Sequence, residues 1–351
     1  MRRARHALTR IDTKLATGPA EGPWAQIAAR VSGAPAAPVD PGDAARLAAA
    51  FGPAFLSWLD PAAAQGREGR LYQRFRRIAA LRLSVALTAA GHRHVALKGM
   101  AAAHRLYDDP DIRPMADIDL LVRPAEVPDI VAWLRNRGYE LAPARSRSAW
   151  GLVSDASFRP LLAPDGSVNI DLHVQPDAWP LPLGLDAEAV FAASGSCGTP
   201  EGDLTVPSLT HLLVLSASHA ARDLFALDTA KNLVDGLHIL VRHPAAIDWA
   251  MIGDIARRAG LRRAFATYFG LLERLTGESG PIGSEWRGAG DAAVSRLAGS
   301  FASLDAGTAT LSLPGVEKFR REWLFCGPRT ALGRWRRRLR GLIAARDGLP
   351  Q

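Results

Sequence analysis

Between Arg113 and Val122 the chain reads RPMADIDLLV, an apolar strand pattern that carries two aspartates one residue apart. Aspartate is depleted in strands, and a carboxylate buried without a partner is costly. Side chains alternate along a strand, so Asp117 and Asp119 face one way while Ile118 and Leu120 face the other. At ~3.3 Å per residue the two carboxylates lie ~7 Å apart and repel each other. A fold that keeps both must compensate two negative charges in one place, and shared cations do this. Mg²⁺ is the usual solution, because it takes oxygen ligands and leaves positions open for water and phosphate oxygens. Two such ions ~3.5–4 Å apart stabilise both the attacking and the leaving oxygen of a phosphoryl displacement. A solvated edge strand is the bland alternative. Ile118, Leu120, Leu121 and Val122 argue against it, since they need burial on at least one side.

Such a site needs a third carboxylate, and Asp171 in VNIDLHV is the candidate. It sits mid-strand behind the turn signal PDGS, although a single strand aspartate near a turn is also common as a structural residue. His173 shares its face two residues on, as a site residue or as a satisfied structural histidine. Upstream, VALKGM reads as a short strand ending in a glycine turn that opens a helix. Such a turn lets a phosphate approach backbone N–H groups, at Gly99 here, and Lys98 offers a point charge to a triphosphate. A snorkelling surface lysine is the alternative for Lys98.

Around this stretch the hydrophobic period organises the chain. Residues 1–42 are rich in Ala, Gly and Pro and read as a loosely ordered lead-in with one short helix at WAQIAARV. Residues 43–90 have helical period, ending in a long arginine-bearing helix stopped by Gly91. Residues 91–176 alternate strand and helix patterns and form a compact α/β unit. Residues 177–207 read mostly as connection, and 208–351 return to helical period as a C-terminal helical domain.

LKGMAAAHRLYDDPDIRPMADIDLLV, followed by a helix, GYE and later IDLH, resembles a bacterial family of nucleotidyltransferases within the DNA polymerase β-like superfamily. The match is good over residues 92–175 and looser over 205–240. The resemblance implies an α+β fold, a small mixed sheet flanked by N-terminal helices and a C-terminal helical domain. It implies transfer of an NMP group from an NTP, ATP by default, to an acceptor hydroxyl or phosphate with Mg²⁺, or Mn²⁺ in its place. By that resemblance Asp117, Asp119 and Asp171 are metal ligands, and Asp171 helps activate the acceptor oxygen as general base. Lys98, Gly99 and Arg113 hold phosphates, Arg113 steadying the leaving pyrophosphate, and His173 borders the nucleotide. One departure stands out: where the wider superfamily has Gly-Ser, this chain has Gly99-Met100. The missing hydroxyl keeps open a second reading, a nucleotide- and metal-binding sensor or accessory protein that transfers nothing.

Composition narrows the field. The formal net charge is +8, and much of the excess sits in GRWRRRLRGLIAAR near the C-terminus. That permits an anionic partner and supports a third reading, nucleic-acid binding through the Arg-rich helix, which a solvated helix face explains as well. Two cysteines, Cys197 and Cys326, exclude a disulfide framework and fit a reducing compartment. With no ~18-residue apolar run and no apolar signal segment, a cytoplasmic protein is expected. His92 and His94 share a strand face but lack a third zinc ligand nearby. His211, His219, Lys231 and Asp235 are expected in packing or surface roles, with cleft lining as the secondary reading.

Overall fold

The computed structural model describes residues 22–34, 38–62, 66–142, 156–277, 284–304 and 315–346. Most of the lead-in, residues 1–21 and 35–37, therefore lies outside the described residues. Four helices come first: α1 (Pro23–Val31), α2 (Pro41–Phe51), α3 (Pro53–Leu59) and the long α4 (Gly66–Ala89). Each of the first three opens on a proline, whose missing N–H and preset φ suit a first helical position. The helix α1 is docked rather than loose. Trp24 is buried and its Nε1 donates to the carbonyl of Phe301 at 2.6 Å, while Arg242 Nε donates to the Val31 carbonyl.

The α/β unit follows with β1 (Val95–Ala96), α5 (Lys98–Leu106), β2 (Ile118–Leu121), α6 (Val127–Arg135), β3 (Glu140–Leu141), β4 (Leu161–Leu162) and β5 (Asn169–His173). These strands make one mixed sheet in the order β1-β2-β5-β4-β3. Only β2 and β5 run parallel. The aspartate-bearing β2 is thus flanked on both sides, which removes the edge-strand alternative. All four of its residues are buried. The turn between β4 and β5 contains Asp165 and Gly166; Gly166 takes φ 67° and Asp165 accepts from Ser167 N. That is the conformation the PDGS signal demands.

The segment expected to be connection is structured. It holds a short helix α7 (Ala187–Ala192) and an antiparallel hairpin of β6 (Gly195–Thr199) and β7 (Gly202–Val206). The hairpin lies against α4: a side chain at Gly202 would meet Val85 at 2.9 Å, and the backbone there has φ 136°. Helices α8 (Leu209–Arg222), α9 (Ala230–Arg242), α10 (Trp249–Ala259), α11 (Arg262–Thr276), α12 (Ser284–Ser303), α13 (Gly315–Cys326) and α14 (Pro328–Arg346) complete the fold. Ser208 and Asp248 cap α8 and α10, each accepting from a first-turn N–H. A continuous apolar core runs from Trp24 and Phe51 through the sheet residues Leu120 and Leu172 to Phe265 and Phe325. Among the described residues no helix is long and apolar enough to cross a membrane.

The arginines of α14 are partly turned inward. Glu322 of α13 is fully buried and receives Arg338 through Nη1 at 2.9 Å and Nη2 at 2.5 Å, with Arg334 3.9 Å away. Arg336, Arg337 and Arg340 remain exposed.

Candidate active site

The parallel pairing of β2 with β5 builds the site. Its register sets Asp119 beside Asp171 and Leu121 beside His173, so the two aspartates are direct cross-strand neighbours. Asp171 and His173, two residues apart, share one face of β5. The ligand atoms of Asp119, Asp171 and His173 lie within 4.8 Å of one another. Asp117 is not a strand residue: β2 begins at Ile118, and Asp117 occupies the bend before it, outside that group. It nevertheless lines the same cavity, about 430 Å³ in volume, together with Asp119, Asp171, His173, Lys98, Gly99 and Arg113. All seven sequence-predicted site residues therefore meet in one place, within the size range of small-molecule sites.

Asp119 is the electrostatic centre. It is 3% exposed, accepts from Lys98 Nζ at 2.5 Å, and lies 2.7 Å from His173 Nε2. Burial alone would raise its carboxyl, but the Lys98 ammonium and the His173 hydrogen bond outweigh burial and hold it far below the usual carboxylate range. The other two carboxyls behave oppositely. Burial, then the negative charges of Asp119 and Asp117, push Asp171 up to about 6. Burial and Asp119 raise Asp117 as well. Two half-buried carboxylates without a partner cation, beside a third that is fully charged, are arranged for a cation to join them. Two carboxylates and an imidazole form a donor set able to hold a divalent metal ion.

Lys98 and Gly99 open α5 from the end of β1. Lys98 takes φ 43°, an uncommon value for a side-chain-bearing residue, and its ammonium donates to Asp119. As first-turn residues, Lys98, Gly99 and Met100 have N–H groups with no intrahelical acceptor. A side chain at Gly99 would meet Met115 at 3.3 Å and Arg113 Nη1 at 3.4 Å, so the glycine keeps the approach to these donors open. Met100 is buried in the core, leaving the position after the glycine without a hydroxyl toward the cavity.

Arg113 differs from expectation in what it holds. Its Nε and Nη2 donate to Asp235 of α9, with Nη2 at 2.7 Å, and Nη1 donates to the Pro114 carbonyl. Tyr107 donates to the same carboxylate at 2.8 Å. Arg113 and Asp235 are both almost fully buried, so the pair clamps the loop before β2 to the helical segment.

The helical segment supplies the far wall: His219, Arg222, Asp223, Lys231 and Asn232 all line the cavity. The secondary reading of His219 and Lys231 as cleft residues is the one the geometry matches, while Asp235 sits behind Arg113 and His211 is elsewhere in the core. Arg222 went unnoticed in the sequence. Its signal was the spacing His219–Arg222, three residues and so one helix face. Arg222 Nη1 donates to the buried Asp177 at 2.8 Å, which ties α8 to the turn after β5. Among the described residues the histidine pair near β1 joins no metal-ligand group, and His94 bonds Ser84 Oγ through Nε2 and the His92 carbonyl through Nδ1.

No curated protein matches the chain. The sequence model of an uncharacterised nucleotidyltransferase family does match, over residues 63–277. That span begins just before α4, contains the whole sheet and cavity, and ends after α11, covering more than half of the chain. The chain belongs to that nucleotidyltransferase family.

Proposed function

We propose that the protein moves a nucleoside monophosphate from an NTP, with ATP as the default donor, to a hydroxyl-bearing acceptor, using Mg²⁺ or in its place Mn²⁺. The observation that carries this reading is the convergence of Asp119, Asp171 and His173 within 4.8 Å, with Asp117 on the rim of the same cavity. Asp117, Asp119 and Asp171 would hold the divalent ions. Bound there, such ions offset negative charge on the phosphate oxygens and on the attacking oxygen.

The chain's own groups account for the remaining steps. The first-turn N–H groups of α5 and the Lys98 ammonium orient the phosphates. Lys98 is placed to leave Asp119 for the phosphates, since both offer it anionic oxygens. Asp171 is the carboxylate that would take the proton of the acceptor as general base. The acceptor oxygen bonds to the α-phosphorus as its proton passes to Asp171, and the bond from that phosphorus to the bridging oxygen breaks. Pyrophosphate leaves with the electron pair.

Incubation with each NTP labelled at the α-phosphate, Mg²⁺ and a cell extract tests the reading. The expected outcome is a labelled acceptor and one pyrophosphate per label, both lost in Asp117→Asn. NTP binding without pyrophosphate release from any of the four nucleotides would instead support the sensor reading, which the missing hydroxyl at Met100 favours.

A further inference from the structure

The cavity's cations are almost all committed. Lys98 and His173 hold Asp119, Arg113 holds Asp235, Arg222 holds Asp177 and Asp223, and His219 lies 3.4 Å from Asp223. Lys231 is the exception. It lines the cavity opposite the β2–β5 carboxylates, and its ammonium makes no hydrogen bond or ion pair with any described residue. Its charged surroundings are Arg113, which repels it, and Asp228, Asp117 and Asp235, none of them within ion-pairing distance. Burial, ahead of Arg113, lowers its pKa from the ordinary lysine value.

Its position on the helix adds to the cost. Lys231 is the second residue of α9, in the first turn, where the helix dipole disfavours a cation. A largely buried lysine at the wrong end of a helix, beside an arginine and without a carboxylate partner, is unfavourable in the free protein. An anion in the cavity would offset these costs by attraction to the ammonium.

Resting on the nucleotidyltransferase reading above, we propose that Lys231 binds the β- and γ-phosphates of the incoming NTP and then the pyrophosphate. It supplies from α9 the phosphate contact that a hydroxyl after Gly99 would otherwise make. Two observations support the exchange. Met100 turns into the core and offers nothing to the cavity, and Arg113, the sequence-level candidate for this contact, is locked onto Asp235.

Calorimetry of the full chain with pyrophosphate and with an NTP in Mn²⁺, together with Mn²⁺ binding in the absence of nucleotide, tests the assignment. In Lys231→Met the affinity for both phosphates is expected to fall at least tenfold, with Lys231→Arg recovering most of it. Mn²⁺ affinity is expected to stay within twofold of wild type, and the melting temperature to be unchanged or higher, which excludes misfolding as the cause. Wild-type phosphate affinity in Lys231→Met overturns the assignment. So does an equal loss of Mn²⁺ and phosphate binding, which would mark a general disturbance of the cavity. If the wild-type protein itself binds neither pyrophosphate nor any NTP, the nucleotidyltransferase reading falls first and this one with it.

Discussion

Of the three aspartates in the cavity one is held charged and two are raised, and each gives its own expectation on removal of its charge. Asp117 is half-buried and repelled by Asp119, with no ion pair of its own. Asp117→Asn is therefore expected to leave stability unchanged or slightly raised while transfer falls at least ~100-fold, the scale of losing one charge-stabilising group. Asp119 cannot be neutralised so cleanly. Its loss leaves the Lys98 ammonium and His173 without their acceptor in a buried site, and Asp119→Ala is expected to cost about 3 kcal/mol in urea unfolding. Asp171 goes the other way. Its folded pKa of about 6 lies above the ~3.9 of an unfolded aspartate, so the folded state holds a proton that the unfolded state has lost between those values. The metal-free protein loses stability as pH rises through that window, and Asp171→Asn removes the penalty. Thermal melts should show the variant more stable by about 1–2 kcal/mol at pH 8, allowing for solvent screening, and no different at pH 4.

Elements with a strong local period were legible from the sequence, and those held by distant contacts were not. The long α4, the strand–turn–helix around Lys98 and Gly99, and the Asp165–Gly166 turn all follow from apolar spacing and turn residues. The β6–β7 hairpin escaped because β6 is Gly-Ser-Cys-Gly-Thr, largely exposed and without an apolar alternation, and its pairing with β7, which lies against α4, is what makes it a strand. The docking of α1 had no local mark either, since Trp24 bonds to a carbonyl 277 residues away. The Arg-rich α14 was legible as a helix but not as a packed one. Its Gly333 lies so close to Trp179 that a Cβ would stand 2.0 Å from the ring, while Arg337 lies over the same ring, 5.7 Å from its centroid. Gly333→Ala is expected to lower stability by about 1–3 kcal/mol in urea, the usual cost of overpacking. With Arg338 and Arg334 turned to Glu322, less of the arginine cluster is left for a nucleic-acid face than the sequence suggested.

At the scale of the whole molecule the site is a seam. One wall comes from β2 and β5, the other from α8 and α9, and the buried ion pair Arg113–Asp235 and the part-buried pair Arg222–Asp177 close the seam. In the sequence Lys98, Gly99, Asp117 and Asp119 fall in one strand–turn–helix–strand stretch, while Asp171 and His173 lie in a later strand-like run marked by its own turn signal. The second wall depends on how α8 and α9, which begin only at Leu209, return to the sheet, and no local pattern encodes that. Asp235→Ala would leave the Arg113 guanidinium buried and unpaired and Tyr107 without its acceptor. It is expected to cost about 3–5 kcal/mol and to loosen the loop that presents Asp117. Intrinsic fluorescence during urea unfolding and NTP affinity would both report it.

The proposal that Asp117, Asp119 and Asp171 hold a divalent cation is most directly tested by titrating the purified full chain with Mn²⁺ at pH 8 and counting free ion by electron paramagnetic resonance. Saturable binding is expected in the wild-type protein, weakened at least tenfold in Asp171→Asn and again in Asp117→Asn, with both variants folded. Mn²⁺ affinity that is the same in all three proteins would contradict it.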